Sequence, residues 1–129
     1  MADSTHKQQP QNLDAETSLL GSLLIDADAL IKIADSVSSE DFFDARHKHI
    51  YESVIKLYDN HSPIDVLTLA DQLKSDGFLD MVGGPSYLTE LTNYVPTASP
   101  VEQYGQIVAK KALRRRLIGP AEDKTELGY

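Results

Sequence analysis

The residues that could do chemistry are scattered along this sequence. His47 and His49 invite a metal reading. At i, i+2 on a helix their side chains diverge, whereas helical zinc pairs favour i, i+4. No cysteine is present, so thiolate metal sites and disulfides are excluded. Gly83-Gly84 stands before a helical pattern, and helix N-termini attract anions. A single glycine pair reads first as a turn. No G-x-x-x-x-G-K-[ST] stretch occurs, so no P-loop cradles nucleotide phosphates. The aspartates stand mostly where helices start, and capping accounts for them. Tyr87, Tyr94 and Tyr104 could stack nucleobases, but their helical spacing favours core or protein-interface packing. The residues therefore predict no catalytic set, no metal and no cofactor in this chain.

Charge gives a second lead. The 129 residues carry a net charge of −8. Residues 1–109 hold 17 acidic and 6 basic side chains, while 110–116 hold five basic and none acidic. Lys110, Lys111, Arg114, Arg115 and Arg116 could contact a phosphate backbone that the acidic body repels. The plainer reading, a solvated helix face near a helix C-terminus, is favoured. The longest apolar runs are a few residues, so no membrane span is expected. Residues 1–11 lack a hydrophobic segment and do not read as a secretory signal. A reducing, cytoplasmic setting is expected.

The elements that must position these residues are all helical. Residues 1–11 read as a disordered tail. Leu19, Leu20, Leu23 and Leu24 place one apolar face on a helix over 13–25. A second helix is predicted over 27–37, with Leu30, Ala34 and Val37 inward and Ile33 close by. Phe42 and Phe43 pin the following turn. Asp44 caps a third helix reaching residue 58, with Ile50, Val54, Leu57 and Tyr58 on its inner side. Residues 59–63 break the chain. A helix over 66–75 follows, capped by Asp65 and ended by Gly77. A half-turn covers 79–82, and Tyr87, Leu88, Leu91 and Tyr94 line a helix over 85–94. Ser99, Pro100 and Glu102 open the last helix, 100–118. It carries two stripes, Val101/Tyr104/Val108/Ala112 and Ala109/Leu113/Leu117, with Ile107 nearby. Two stripes predict either more than one neighbour or a helix wrapped by its own chain. Gly119-Pro120 is expected to break or kink it.

The order of motifs carries more than any one of them. Asn12 to Asp26 (N-L-D-A-E-T-S-L-L-G-S-L-L-I-D) is followed by D-F-F-D-A-R-H-K-H-I-Y, I-D-V-L-T-L-A-D-Q-L, D-G-F-L-D-M-V-G-G, Y-L-T-E-L, V-P-T-A and Q-I-V-A-K-K-A-L-R-R-R-L-I. This series, covering roughly 12–118, resembles the N-terminal domain of the bacterial replicative hexameric helicase, the DnaB family. The resemblance implies an all-α fold, a small orthogonal helical bundle followed by a helical hairpin, truncated here. It divides the chain into a tail (1–11), a globular head (12–98) and a hairpin arm (99–129) with an incomplete second helix.

The resemblance also implies function: a non-catalytic collar domain that associates subunits during DNA replication. The parent would be a hexamer, a trimer of dimers. The collar would dock the primase C-terminal domain and, in some systems, a helicase loader. Tyr87 and Ile118 are carried over as primase-contact positions. Tyr104, Ile107, Val108 and Leu113 are assigned from the stripes to the hairpin and subunit interface. ATP and magnesium would belong to a separate ATPase domain, so this chain alone is expected to be no enzyme. The alternative is a single-stranded nucleic-acid-binding module using 110–116, and a third is a small-molecule enzyme with a site near Gly83-Gly84.

Overall fold

The computed structural model describes residues 12–94 and 101–124, and only the backbone over 119–124. Expectations for the tail 1–11, for the 95–100 connector with Ser99 and Pro100, and for 125–129 lie outside the described residues. Among the described residues all regular structure is helical, in keeping with the all-α class.

Helix α1 (Leu13–Ile25) starts where Asn12 Oδ1 accepts the Ala15 amide at 3.0 Å. Its four predicted leucines are all buried. The expected 27–37 helix is shorter than its periodicity suggested. A 3-10 turn, Ala27–Ala29, runs into a single α-turn, α2 (Leu30–Ile33). The amides of Ser36 and Val37 then both donate to the Ile33 carbonyl. That convergence tightens the chain and turns Val37 inward, while Ala34, expected inside, faces solvent.

Helix α3 (Ala45–Asp59) is capped by Asp44 as predicted. Ile50, Val54 and Leu57 are buried, whereas Tyr58 is exposed. The inward tyrosine is Tyr51, whose hydroxyl donates to the Val37 carbonyl at 2.8 Å. Helix α4 (Val66–Asp76) opens with reciprocal bonds between Asp65 and Thr68 and ends at Gly77, where φ is 84°. The left-handed turn there strains any residue with a Cβ. Helices α5 (Leu79–Val82) and α6 (Gly84–Leu91) follow, and a 3-10 turn, Thr92–Tyr94, closes the segment.

Helix α7 (Val101–Lys124) continues through Gly119-Pro120, where a break or kink was expected, so the chain does not break there. Proline removes one ladder bond but keeps a helical φ, so it does not by itself stop a helix. No returning arm is present among the described residues. The first half of α7 belongs to the head. Val101, Val108 and Ala112 are buried, and α7 packs chiefly against α1. Gly105 makes a close crossing possible, because a Cβ there would lie 3.1 Å from Val37 Cγ2 and 3.2 Å from Ile33 Cγ2. From Leu113 onward the exposure reverses: Leu113, Leu117 and Ile118 face solvent.

Tyr51 yields a pH test. Burial pushes its phenol up to about 12. A phenol held neutral in the native state stabilises the fold fully below its unfolded value of about 10. That stability is lost as pH rises through about 12, because the unfolded chain ionises first. Chemical denaturation across this range should show stability falling with pH. Tyr51→Phe should flatten that limb and cost about 0.5–1.5 kcal/mol at neutral pH for the lost hydrogen bond. An unchanged alkaline limb would remove Tyr51 as its source.

Candidate functional site

The polar centre of the head is a chain of three side chains that the sequence places far apart. Glu16 comes from α1, His47 from the first turn of α3 and Tyr87 from α6. His47 Nδ1 lies 2.7 Å from Glu16 Oε1, and its Nε2 lies 2.7 Å from the Tyr87 hydroxyl. Glu16 and His47 are only 2% and 1% exposed, so both depend on one another for polar partners. The Glu16 carboxylate also accepts the Phe43 amide at 2.6 Å and the Asp44 amide at 3.3 Å. It thus satisfies backbone donors where the chain enters α3, near the positive end of that helix. In a neutral imidazole, donation from Nδ1–H to the carboxylate leaves Nε2 to accept from Tyr87.

Tyr87 carries this interior chain to the surface. Its ring lies 12° from parallel to the His47 imidazole, with centroids 6.0 Å apart. The Arg46 guanidinium sits 4.4 Å over the Tyr87 ring, within cation–π range. Arg46 is itself forked onto Asp44, with Nη2 2.7 Å from Oδ2. Hydrogen bonding from Arg46 holds the Asp44 carboxyl below the usual carboxylate range, and burial pushes the Tyr87 phenol up. Gly83, at φ 109°, makes room: a Cβ there would meet Tyr87 Cβ at 2.8 Å. The Gly83-Gly84 pair is thus a turn that admits Tyr87.

A second polar knot ties α7 to the turn before α3. Asp41, only 7% exposed, accepts the Ser38 amide through Oδ2 at 3.0 Å and pairs with Arg116 through Oδ1. Its backbone carbonyl accepts from Arg115 Nη2 at 2.6 Å, and the Arg115 guanidinium lies 5.4 Å from the Phe43 ring centroid. Two of the five basic residues assigned to nucleic acid are therefore engaged with the head. Lys110 and Arg114 are exposed, and Lys111 is half-buried.

The interface residues chosen from the two stripes separate. Val108 is buried in this chain's own core, and Tyr104 and Ile107 pack half-buried against it. Leu113 and Ile118 are 53% and 44% exposed, so they remain surface residues. Val108, assigned to the interface from its stripe, is covered by the head's own core instead, on a helix that packs against α1 and α2. His49 stacks on Phe78 at 3.8 Å, away from His47's partners. No cluster of three metal-ligating side chains occurs among the described residues. None of their helices is long and apolar enough to cross a membrane.

Set against known proteins, the chain matches the DnaB-like helicase N terminal domain over residues 8–110. The chain belongs to that family. The DnaB-type domain is 39% identical over 126 residues to the replicative DNA helicase DnaB of Leifsonia xyli, covering 98% of this chain and 28% of that protein. It thus spans little more than a quarter of such a relative's length. The N-terminal domain of DnaB helicase from Mycobacterium tuberculosis superposes with a TM-score of 0.89 at 38% identity, covering 95% of this chain and 88% of that one. A second structure is a DnaB-like replicative helicase described with its interactions with primase. It gives a TM-score of 0.77 at 27% identity and covers 90% of this chain and 27% of that one.

Sequence reasoning missed the Glu16–His47–Tyr87 chain in this DnaB-type domain. One signal was available: Glu16 falls among the inward leucines of α1 rather than on its outer face. Glu16→Leu should lower the unfolding free energy by about 3–5 kcal/mol, because it strands two amide donors and a buried imidazole. Urea denaturation measures this, and a loss below about 1 kcal/mol would show that the carboxylate does not hold the α3 entrance.

Proposed function

We propose that the domain acts as the non-catalytic collar of a replicative DNA helicase, associating subunits and docking primase and, in some systems, a loader. Membership in the DnaB-like family carries this reading. The exposed apolar ridge of α7, Leu113, Leu117 and Ile118, supports it, because a helix end left uncovered in one chain suits contact with another. Subunit contact falls to Leu113 and Leu117, with the half-buried Tyr104 and Ile107 at its edge. The primase C-terminal domain is met at Tyr87 and Ile118. ATP hydrolysis, with its magnesium ion, is work for a separate ATPase domain, and hexamer formation belongs to the whole helicase. Direct nucleic-acid binding is a minor role at most, given that Arg115 and Arg116 are engaged with Asp41.

Titration of this chain with the primase C-terminal domain tests the docking role. Saturable binding is expected, weakened about tenfold or more by Ile118→Asp, a loss of roughly 1.4 kcal/mol. Absence of binding at high concentration, with the domain folded, would count against it.

A further inference from the structure

A buried chain of polar side chains is a weak way to make a fold stable, since well-packed apolar side chains of similar volume often do as well or better. Glu16, His47 and Tyr87 therefore call for another account. Their geometry converges on the placement of one half-exposed ring. The Tyr87 hydroxyl is fixed 2.7 Å from His47 Nε2, and Arg46 covers the ring at 4.4 Å. Gly83 lets the Tyr87 Cβ come closer than any other residue would allow. The imidazole is in turn oriented by Glu16, whose carboxylate is anchored to the Phe43 and Asp44 amides.

Three separate elements thus hold a tyrosine that a free rotamer would otherwise let swing. A side chain that is already ordered spares the ordering cost on association. Because its hydroxyl is bonded inward and Arg46 lies over its ring, Tyr87 offers a partner ring carbon rather than a donor. That suits an apolar side chain better than a hydrogen-bonding one.

We infer that His47 is a positioning residue for the docking surface: it holds Tyr87 in the orientation that meets the partner, and Glu16 holds His47 in the tautomer that can do so. This rests on the reading that Tyr87 takes part in primase docking.

The test is titration calorimetry of the primase C-terminal domain against this chain, carried out well below the melting midpoint of every variant. His47→Leu and Tyr87→Phe each remove the same hydrogen bond, one from inside and one from the surface. Each should weaken binding about three- to tenfold, the cost of ordering one released side chain. Combined, they should weaken it no further than either alone. A purely structural role would lower the melting midpoint and leave the affinity of the folded domain unchanged. Tyr87→Ala serves as the reference. If it weakens binding while His47→Leu and Tyr87→Phe do not, positioning is overturned and docking at Tyr87 stands. If Tyr87→Ala leaves binding unchanged, docking at Tyr87 fails, and the inference with it. Should His47→Leu not fold, Tyr87→Phe decides alone, and unchanged affinity overturns the inference.

Discussion

One buried carboxylate constrains the rest of the head. Glu16 sits on the inner face of α1, among leucines, and water does not reach it. A charge in that position must find donors or raise the free energy of the fold by several kcal/mol. It finds three: two backbone amides at the start of α3 and the Nδ1 of His47. These bonds fix where α3 begins, which way its first turn faces and hence where Asp44 and Arg46 stand. Through His47 they also reach α6, so one carboxylate couples three helices that are distant in sequence. The same segment, 38–44, receives Arg115 and Arg116 from α7. The turn before α3 is therefore where the interior polar chain and the arm helix meet.

Helix α7 belongs to two environments. Its first half is core: Val101, Val108 and Ala112 are covered, and Gly105 lets the helix close on Ile33 and Val37. Its second half leaves the head, held by the arginines on Asp41, and shows Leu113, Leu117 and Ile118 to solvent. About 1.5 Å of rise per residue makes this a rod of roughly 36 Å, longer than the head needs. Because α7 runs on to Lys124, the basic residues 110–116 lie mid-helix rather than at its C-terminal end, and two of them clasp the head. The acidic body and the basic arm are thus partly an internal pairing.

Much of this was legible in the sequence because it is local. Caps at Asp44 and Asp65, the stop at Gly77 and the leucine face of α1 follow from neighbours within a turn or two. The shape of 27–37 was not, because periodicity alone cannot show that two amides will share the Ile33 carbonyl. Nor could it tell that Tyr51 rather than Tyr58 turns inward, since both fit a helical stripe. The two stripes of α7 were visible, but which of them the head would cover depends on packing with α1 and α2. The Glu16–His47–Tyr87 chain was hidden for the same reason. Its members lie 31 and 40 residues apart, and each alone has an ordinary explanation. Family resemblance pointed to Tyr87, and the structure supplied the partners that hold it.

The account stands on the coupling of the two ends of that chain through His47. A double-mutant cycle in urea denaturation, with Glu16→Gln and Tyr87→Phe, measures it most directly. The predicted result is a coupling of about 1 kcal/mol or more between the two residues that the imidazole bridges. Additive losses, within about 0.5 kcal/mol, would contradict it and reduce the three side chains to separate contacts.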